Sequence, residues 1–179
     1  PEEKKVYLAF NKPRGIVCTA EKREKNNVID YLSYPVRIYP VGRLDKDSEG
    51  LLLMTNDGAI VNGIMRARNR HEKEYQVEVN KEITPEFLKK MASGVPILDT
   101  VTRPCRIRKT GERSFTIILT QGLNRQIRRM CEALGYRVTK LKRVRIMNIH
   151  LKDLKTGEYR PLTEKELAEL KKQIGEEKR

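Results

Sequence analysis

Apolar and polar positions alternate, cluster and break along the chain so as to mark out a series of short elements. Residues 6–11 read as a first strand, Lys12-Pro13-Arg14-Gly15 as a turn, and 16–19 as a resumed strand. A charged stretch over 21–27 reads as a loop and 28–32 as a short helix. Residues 38–41 and 51–55 are apolar runs on either side of a loop bracketed by Gly42 and Gly50. Asp57 is placed to cap a helix running to about Ala67, with Ile60, Val61, Ile64 and Met65 on one face. Residues 75–79 alternate as a strand. Thr84-Pro85 opens a helix with proline at its first position, and Gly94 ends it. Residues 101–108 and 114–120 predict two more strands. Asn124 is the expected cap of a helix that stops before Gly135. Ile127, Met130, Cys131 and Leu134 form its buried stripe, with Arg125, Arg128, Arg129 and Glu132 on the other side. Residues 136–151 alternate over one or two strands. Thr163 with Glu166 forms a capping box for a last helix that turns Leu167, Leu170 and Ile174 inward. Strands outnumber helices and their order is mixed, so the expected class is α+β, a mixed, largely antiparallel sheet with flanking helices. No internal repeat or low-complexity linker interrupts it.

Length and composition narrow the picture. The 179 residues fit one domain over 1–179 with room for two lobes, and such a chain buries roughly 70% of its unfolded surface. No apolar stretch approaches the roughly 18–20 residues of a membrane span, and the polar start over residues 1–5 has no signal-peptide core. No membrane partner is expected. Cys18, Cys105 and Cys131 are odd in number and widely spaced, which indicates neither a disulfide framework nor a zinc cluster and fits a reduced, cytoplasmic chain. His71 and His150 are the only histidines and read as structural; no metal site is expected. Walker and Rossmann glycine motifs are absent, so no nucleotide cofactor is indicated.

Charge points to a partner. Lys and Arg number 38 against 24 Asp and Glu, a net charge of +14. The excess is clustered: Arg66, Arg68 and Arg70; Arg125, Arg128 and Arg129; Lys140, Lys142, Arg143 and Arg145. Such clusters neutralise phosphates and give salt-sensitive nucleic-acid binding. Aromatic residues are only 6%, with no Trp, which argues against a broad stacking platform.

The most informative stretch is the loop and strand over 41–58. Asp45 sits in a glycine-bracketed loop between two apolar strands, the position from which scaffolds present catalytic groups. Its motif, Gly42-Arg43-Leu44-Asp45, then Gly50-Leu51, then Thr55-Asn56-Asp57-Gly58, resembles the signature of pseudouridine synthases of the RsuA family. Three further blocks agree in order: Asn11-Lys12-Pro13 with Gly15, Glu72-Lys73-Glu74-Tyr75, and the run from Gly122 to Met130. His71 to Tyr75, Gly94-Val95-Pro96-Ile97-Leu98 and Arg145-Ile146-Met147-Asn148 look most like the RluF-type branch, which acts on a uridine in the peptidyl-transferase region of 23S ribosomal RNA. Family members usually begin with a small S4-type RNA-binding domain. This chain starts at the catalytic motif set, so that domain is expected to be absent from it.

The resemblance implies a pseudouridine synthase fold with a central cleft between two lobes, and an isomerase, acting in rRNA processing, that needs no cofactor. The N1–C1′ bond of a uridine breaks, the uracil turns, and C5 bonds to C1′. Asp45 takes the essential carboxylate role. A carboxylate enclosed in a site stays ionised only beside a cation, and Arg128 matches the family arginine that pairs with it. Tyr75 matches the tyrosine that stacks on the target base. Leu141 is expected as a pocket wall, and Arg43 as a brace for the nucleotide or its phosphate. Arg66, Arg68, Arg70, Arg125, Arg129, Lys140, Lys142 and Arg143 are the candidates for wider RNA contact. The residues accommodate attack at C1′, attack at C6, or a glycal route. The expected state is a monomer acting on 23S rRNA or a ribosomal precursor. Alternatives are the same chemistry on small-subunit rRNA or tRNA, or a non-catalytic RNA-binding assembly protein. A glycosidase is disfavoured, because it needs two cooperating carboxylates and only Asp45 matches.

Overall fold

A computed structural model describes residues 4–176; residues 1–3 of the polar start lie outside the described residues. In chain order the described elements are β1 (Tyr7–Lys12), α1 (Val28–Leu32), β2 (Tyr39–Pro40), β3 (Glu49–Thr55), α2 (Gly58–Arg66), β4 (Lys73–Val79), α3 (Pro85–Ser93) and β5 (Pro96–Ile97). They continue with β6 (Thr100–Val101), β7 (Arg106–Gly111), β8 (Ser114–Leu119), α4 (Gln126–Ala133), β9 (Val138–Ile146), β10 (Ile149–His150), β11 (Tyr159–Pro161) and α5 (Glu164–Glu176). The β1–β3, β1–β11, β2–β3, β4–β8, β5–β6, β7–β8 and β9–β10 ladders are antiparallel, which agrees with the expected class.

The chain divides into two units, Pro1–Ala67 with Arg145–Arg179, and Arg68–Val144. In the first, β1 pairs with β3 on one side and β11 on the other, and β2 adds to β3. β1 and β3 are buried along almost their whole length, so both faces are covered and both strands read as continuous apolar runs. Leu8, Phe10, Leu52 and Met54 pack with Val28 of α1 and with Ile38 and Leu44. Asp57 caps α2 as expected, accepting from Ala59 N and Ile60 N. Gly63 of α2 leaves room for Ile174 of α5; a Cβ there would lie 2.3 Å from Ile174 Cγ2. The Thr163–Glu166 capping box forms in both directions: Thr163 N donates to Glu166 Oε1 at 2.8 Å and Glu166 N to Thr163 Oγ1 at 3.1 Å.

In the second unit the strand order is β9-β4-β8-β7, with a small β5–β6 hairpin beside it. Val77, Val79, Phe115, Ile117 and Leu141 pack against Phe87 and Met91 of α3 and Ile127, Met130 and Cys131 of α4. Thr84 caps α3 through Phe87 N, with Pro85 at its start and Gly94 at its end.

Several expectations are corrected. Residues 16–19 form only an isolated bridge, Val17 with Asn27, because Lys12 and the turn after it divert the chain from the sheet. The 101–108 run splits into β6 and β7, since Pro104 has no N–H for a ladder. β5 and β11 were not expected; two or three residues carry too little periodicity to be read. Asn124 does not cap α4. The cap position is Arg125, held in the left-handed region at φ 48°, with no side-chain cap bond. The Asn124 carbonyl and side-chain oxygens instead accept from Arg129 at 2.9 and 2.8 Å, and Gln126 Oε1 takes the Leu123 N–H.

Candidate active site

Asp45 lies in the first unit, in the loop between β2 and β3, and its backbone is fixed on both sides. Leu44 before it is buried in the core and donates its N–H to Cys18 Sγ at 3.4 Å. Ser48 after it is buried and donates its N–H back to the Asp45 carbonyl at 3.0 Å. Gly42 and Gly50 enter and leave this loop at φ +75° and +110°, a region that costs an L side chain about 1 kcal/mol or more. The Asp45 carboxylate is half-buried and Arg43 is exposed.

A residue not assigned a role above anchors this loop. Lys12, the last residue of β1, is 0% exposed. Its ammonium donates to the carbonyls of Pro13 and Ile16, each at 2.8 Å, and more weakly to that of Lys46 at 3.4 Å. Gly15 N also donates to the Lys46 carbonyl, at 2.7 Å. One buried cation thus ties the turn after β1 to the residue following Asp45. Burial lowers the Lys12 pKa; Cys18, Asp47, Asp45 and Glu49 oppose the shift. The signal was present in the Asn11-Lys12-Pro13 block, but a lysine at a strand end reads as exposed until the turn folds over it.

The second unit holds Tyr75, Arg128 and Leu141. Tyr75 stands on β4 opposite Ile117 of β8, half-buried against the core. Leu141 is in that core. Arg128 is on α4 and only 8% exposed, where the sequence pattern had put it on the solvent side with Arg125 and Arg129. Helix α4 is therefore covered over more than its apolar stripe, and Gln126 is buried with it, donating to Gln121 Oε1 at 3.2 Å.

The basic clusters are redistributed. Arg66 ends α2 in the first unit, whereas Arg68 and Arg70 belong to the second. The cluster on β9 is split by strand alternation. Leu141 and Arg143 are buried, and Arg143 is only 8% exposed. Lys140 and Lys142 face the other way, onto a groove of about 330 Å³ with Gln76, Glu78, Ser114 and Thr116. Lys140 lies 4.0 Å from Glu78 there. Arg125 is exposed, and Arg129 folds back on Asn124. Arg103, outside all three clusters, donates to the Asn69 carbonyl and receives Gln121 Oε1 at its own N–H at 3.0 Å. Asn69 Oδ1 accepts from Gly122 N at 3.2 Å. The segments around Arg68, Arg103 and Gly122 are thereby joined.

Among the described residues Cys18, Cys105 and Cys131 form no disulfide, and burial raises the Cys105 and Cys131 thiols to about 11 and about 12. Among the described residues no group of three or more His, Cys, Asp or Glu is arranged to hold a metal ion, and no helix is long and apolar enough to cross a membrane.

The sequence pattern of the RNA pseudouridylate synthase family matches residues 6–133. The chain is 56% identical over 169 residues to a dual-specificity RNA pseudouridine synthase RluF of Salmonella typhi, covering 94% of this chain and 58% of that protein. It thus spans a little over half the length of such relatives. It is 36% identical over 177 residues to the ribosomal large subunit pseudouridine synthase B of Bacillus subtilis, covering 94% of this chain and 72% of that one. A crystal structure of a pseudouridylate synthase superposes with a TM-score of 0.86 at 30% identity, over 94% of this chain and 75% of the other. The pattern match and the Bacillus subtilis relative each span most of the sequence compared, and the chain belongs to the RNA pseudouridylate synthase family.

Proposed function

We propose that this chain isomerises a uridine of 23S ribosomal RNA to pseudouridine, with Asp45 as the essential carboxylate. The observation that carries this reading is the Asp45 loop. A half-buried aspartate follows a buried leucine, its own carbonyl accepts from the buried Ser48, and the carbonyl of the next residue accepts from the buried Lys12, in a chain of this family. So rigid a mount suits a group that must meet a reacting atom within a few tenths of an ångström.

In this reading the target nucleotide leaves its stack at a cost of a few kcal/mol, offset by phosphate contacts along the basic second unit. Tyr75 holds the uracil plane, Arg128 keeps Asp45 ionised, and Leu141 contributes an apolar wall. Asp45 acts as nucleophile or base while the N1–C1′ bond breaks. After the base turns, C5 bonds to C1′, C5 loses its proton and N1 gains one, so the product is an isomer. The protein acts in the cytoplasm as a monomer without metal or cofactor. The dual-specificity name of the Salmonella typhi relative supports a second RNA class, for which tRNA is the first candidate.

The test is pseudouridine formation on unmodified 23S rRNA and on unmodified tRNA, mapped by base-specific labelling and primer extension. Wild-type protein is expected to create discrete new sites. Asp45→Asn is expected to lose turnover by at least about 10⁴-fold, roughly 5 kcal/mol, while keeping RNA affinity. Substantial turnover by the Asn variant would refute the role of Asp45.

A further inference from the structure

β5 and β6 are joined by Leu98 and Asp99 alone, since Ile97 pairs with Thr100 and Pro96 with Val101. Both turn residues lie in the left-handed region, Leu98 at φ 46° and Asp99 at φ 60°. A two-residue hairpin loop with positive φ at both positions is the type I′ pattern, which favours Asn-Gly. Aspartate tolerates that backbone, whereas for leucine it is costly. Packing in the core would offset the cost, but Leu98 is 48% exposed. Val101 is 60% exposed. Among the described residues these two are the only exposed large apolar side chains of the second unit.

The hairpin is held firmly at its base. Val95 N donates to the Thr102 hydroxyl at 2.8 Å, and Thr102 N donates to the Val95 carbonyl at 3.0 Å. Ile97 is buried in the core that holds Ile127 and Met130 of α4. A Cβ on Gly94 would lie 2.7 Å from the Thr102 carbonyl oxygen, so the two ends of the hairpin approach closely. An apolar tip is thus presented rigidly to solvent on a strained backbone. Strain kept without a packing return marks a contact site for a ligand.

Charge selects the ligand. The second unit carries 18 Lys and Arg against 8 Asp and Glu, so +10 of the chain's +14. Arg103, two residues after Val101, is exposed, and α4, against which β5 packs, carries the exposed Arg125. An apolar tip in a cationic field suits a nucleic acid, whose phosphates meet the arginines while its base faces meet the leucine. We propose that Leu98, together with Val101, is an apolar wedge that enters a base step of the RNA substrate and opens the stack from which the target nucleotide is withdrawn. This rests on the RNA-modifying function proposed above.

The test replaces Leu98 by Asn, which a type I′ turn prefers, so the hairpin is kept and the apolar tip is lost. An RNA stem-loop with 2-aminopurine in its stem reports unstacking as a rise in fluorescence. Wild-type protein is expected to produce a clear rise and Leu98→Asn almost none. Binding of oligouridylate, which has little stacking to break, should be the same for both. Val101→Thr, which keeps the side-chain shape, should lose part of the rise. On unmodified 23S rRNA, Leu98→Asn is expected to raise KM about tenfold with little change in kcat. Its urea midpoint should equal or exceed that of the wild type; a lower midpoint would show that the leucine serves folding and would overturn the proposal. Equal fluorescence rises in wild type and Leu98→Asn would overturn it too, as would no rise with the wild type. Modification impaired in Leu98→Asn only on assembled ribosomal particles, with naked RNA unaffected, would assign the tip to a protein partner instead. A Leu98-dependent rise without pseudouridine formation on 23S rRNA or tRNA by the wild type would keep the wedge and reject the synthase reading. Normal pseudouridine formation with equal fluorescence from the two proteins would do the reverse.

Discussion

At the scale of single residues, the site combines groups whose identity is legible with groups whose surroundings are not. Asp45 and Tyr75 announce themselves by motif. Lys12 sits in a motif too, but its importance comes from what it touches: three carbonyls and no solvent. Lys12→Met keeps the volume and removes the donors, leaving those carbonyls unsatisfied in a buried turn. We expect a loss of about 2–3 kcal/mol in urea unfolding and a fall in kcat larger than any rise in KM, because the Lys46 carbonyl adjoins Asp45. Unchanged stability and turnover would show that the ammonium does not hold the loop. Arg128 teaches the opposite lesson. Helical spacing put it on a polar face with Arg125 and Arg129, yet it is buried. A helical wheel separates apolar from charged positions but does not show which charged position lies under neighbouring chain.

At the scale of elements, local chemistry was decisive wherever a cap or turn needs a particular residue. Thr84-Pro85 through Gly94 bounds α3, Asp57 starts α2, and Thr163 with Glu166 starts α5. The α5 box carries more than a cap. Arg160 grips both Glu166 oxygens at 2.8 and 3.0 Å and, with the Thr163 N–H and Lys152, holds the Glu166 pKa at about 2 against burial. The folded pKa is below the ordinary 4.5, so the folded chain binds the proton less readily than the unfolded one. The contribution is therefore present above about pH 4.5 and lost as pH falls towards 2. Unfolding followed across that window should show wild-type stability declining, with a shallower decline in Glu166→Gln; parallel curves would contradict the assignment. Where two signals competed, the sequence misled. Asn124 is a good cap residue, but Arg125 takes the left-handed backbone and Gln126 supplies the acceptor for Leu123 N.

At the scale of the molecule, the first unit is assembled from both ends of the chain and the second from one continuous stretch. β11 supplies the outer partner of β1, and α5 buries Leu170 and Ile174, the latter against Gly63. Ending the chain after His150 removes all of these. The edge of β1 and the apolar side of α2 would then be exposed. We expect the shortened protein to lose cooperative unfolding and protection of residues 7–67 from proteolysis. Retained protection would show that the first unit does not depend on its second segment. The excess positive charge behaves differently: it is a property of composition, but its effect depends on how folding distributes it.

The order of short-range patterns along the chain was enough to identify the α+β class and the family, and to single out Asp45 and Tyr75 for the roles proposed above, because period, caps and motif spacing act over a few residues. Folding alone decided the rest. It drew Lys12 under the Asp45 loop, buried Arg128, and sent Lys140 and Lys142 to one face of β9 and Arg143 to the other. The physical reason is the same in each case. Burial and electrostatic neighbourhood are set by residues distant in sequence, and a lysine or arginine carries no local mark of which chain will pass over it.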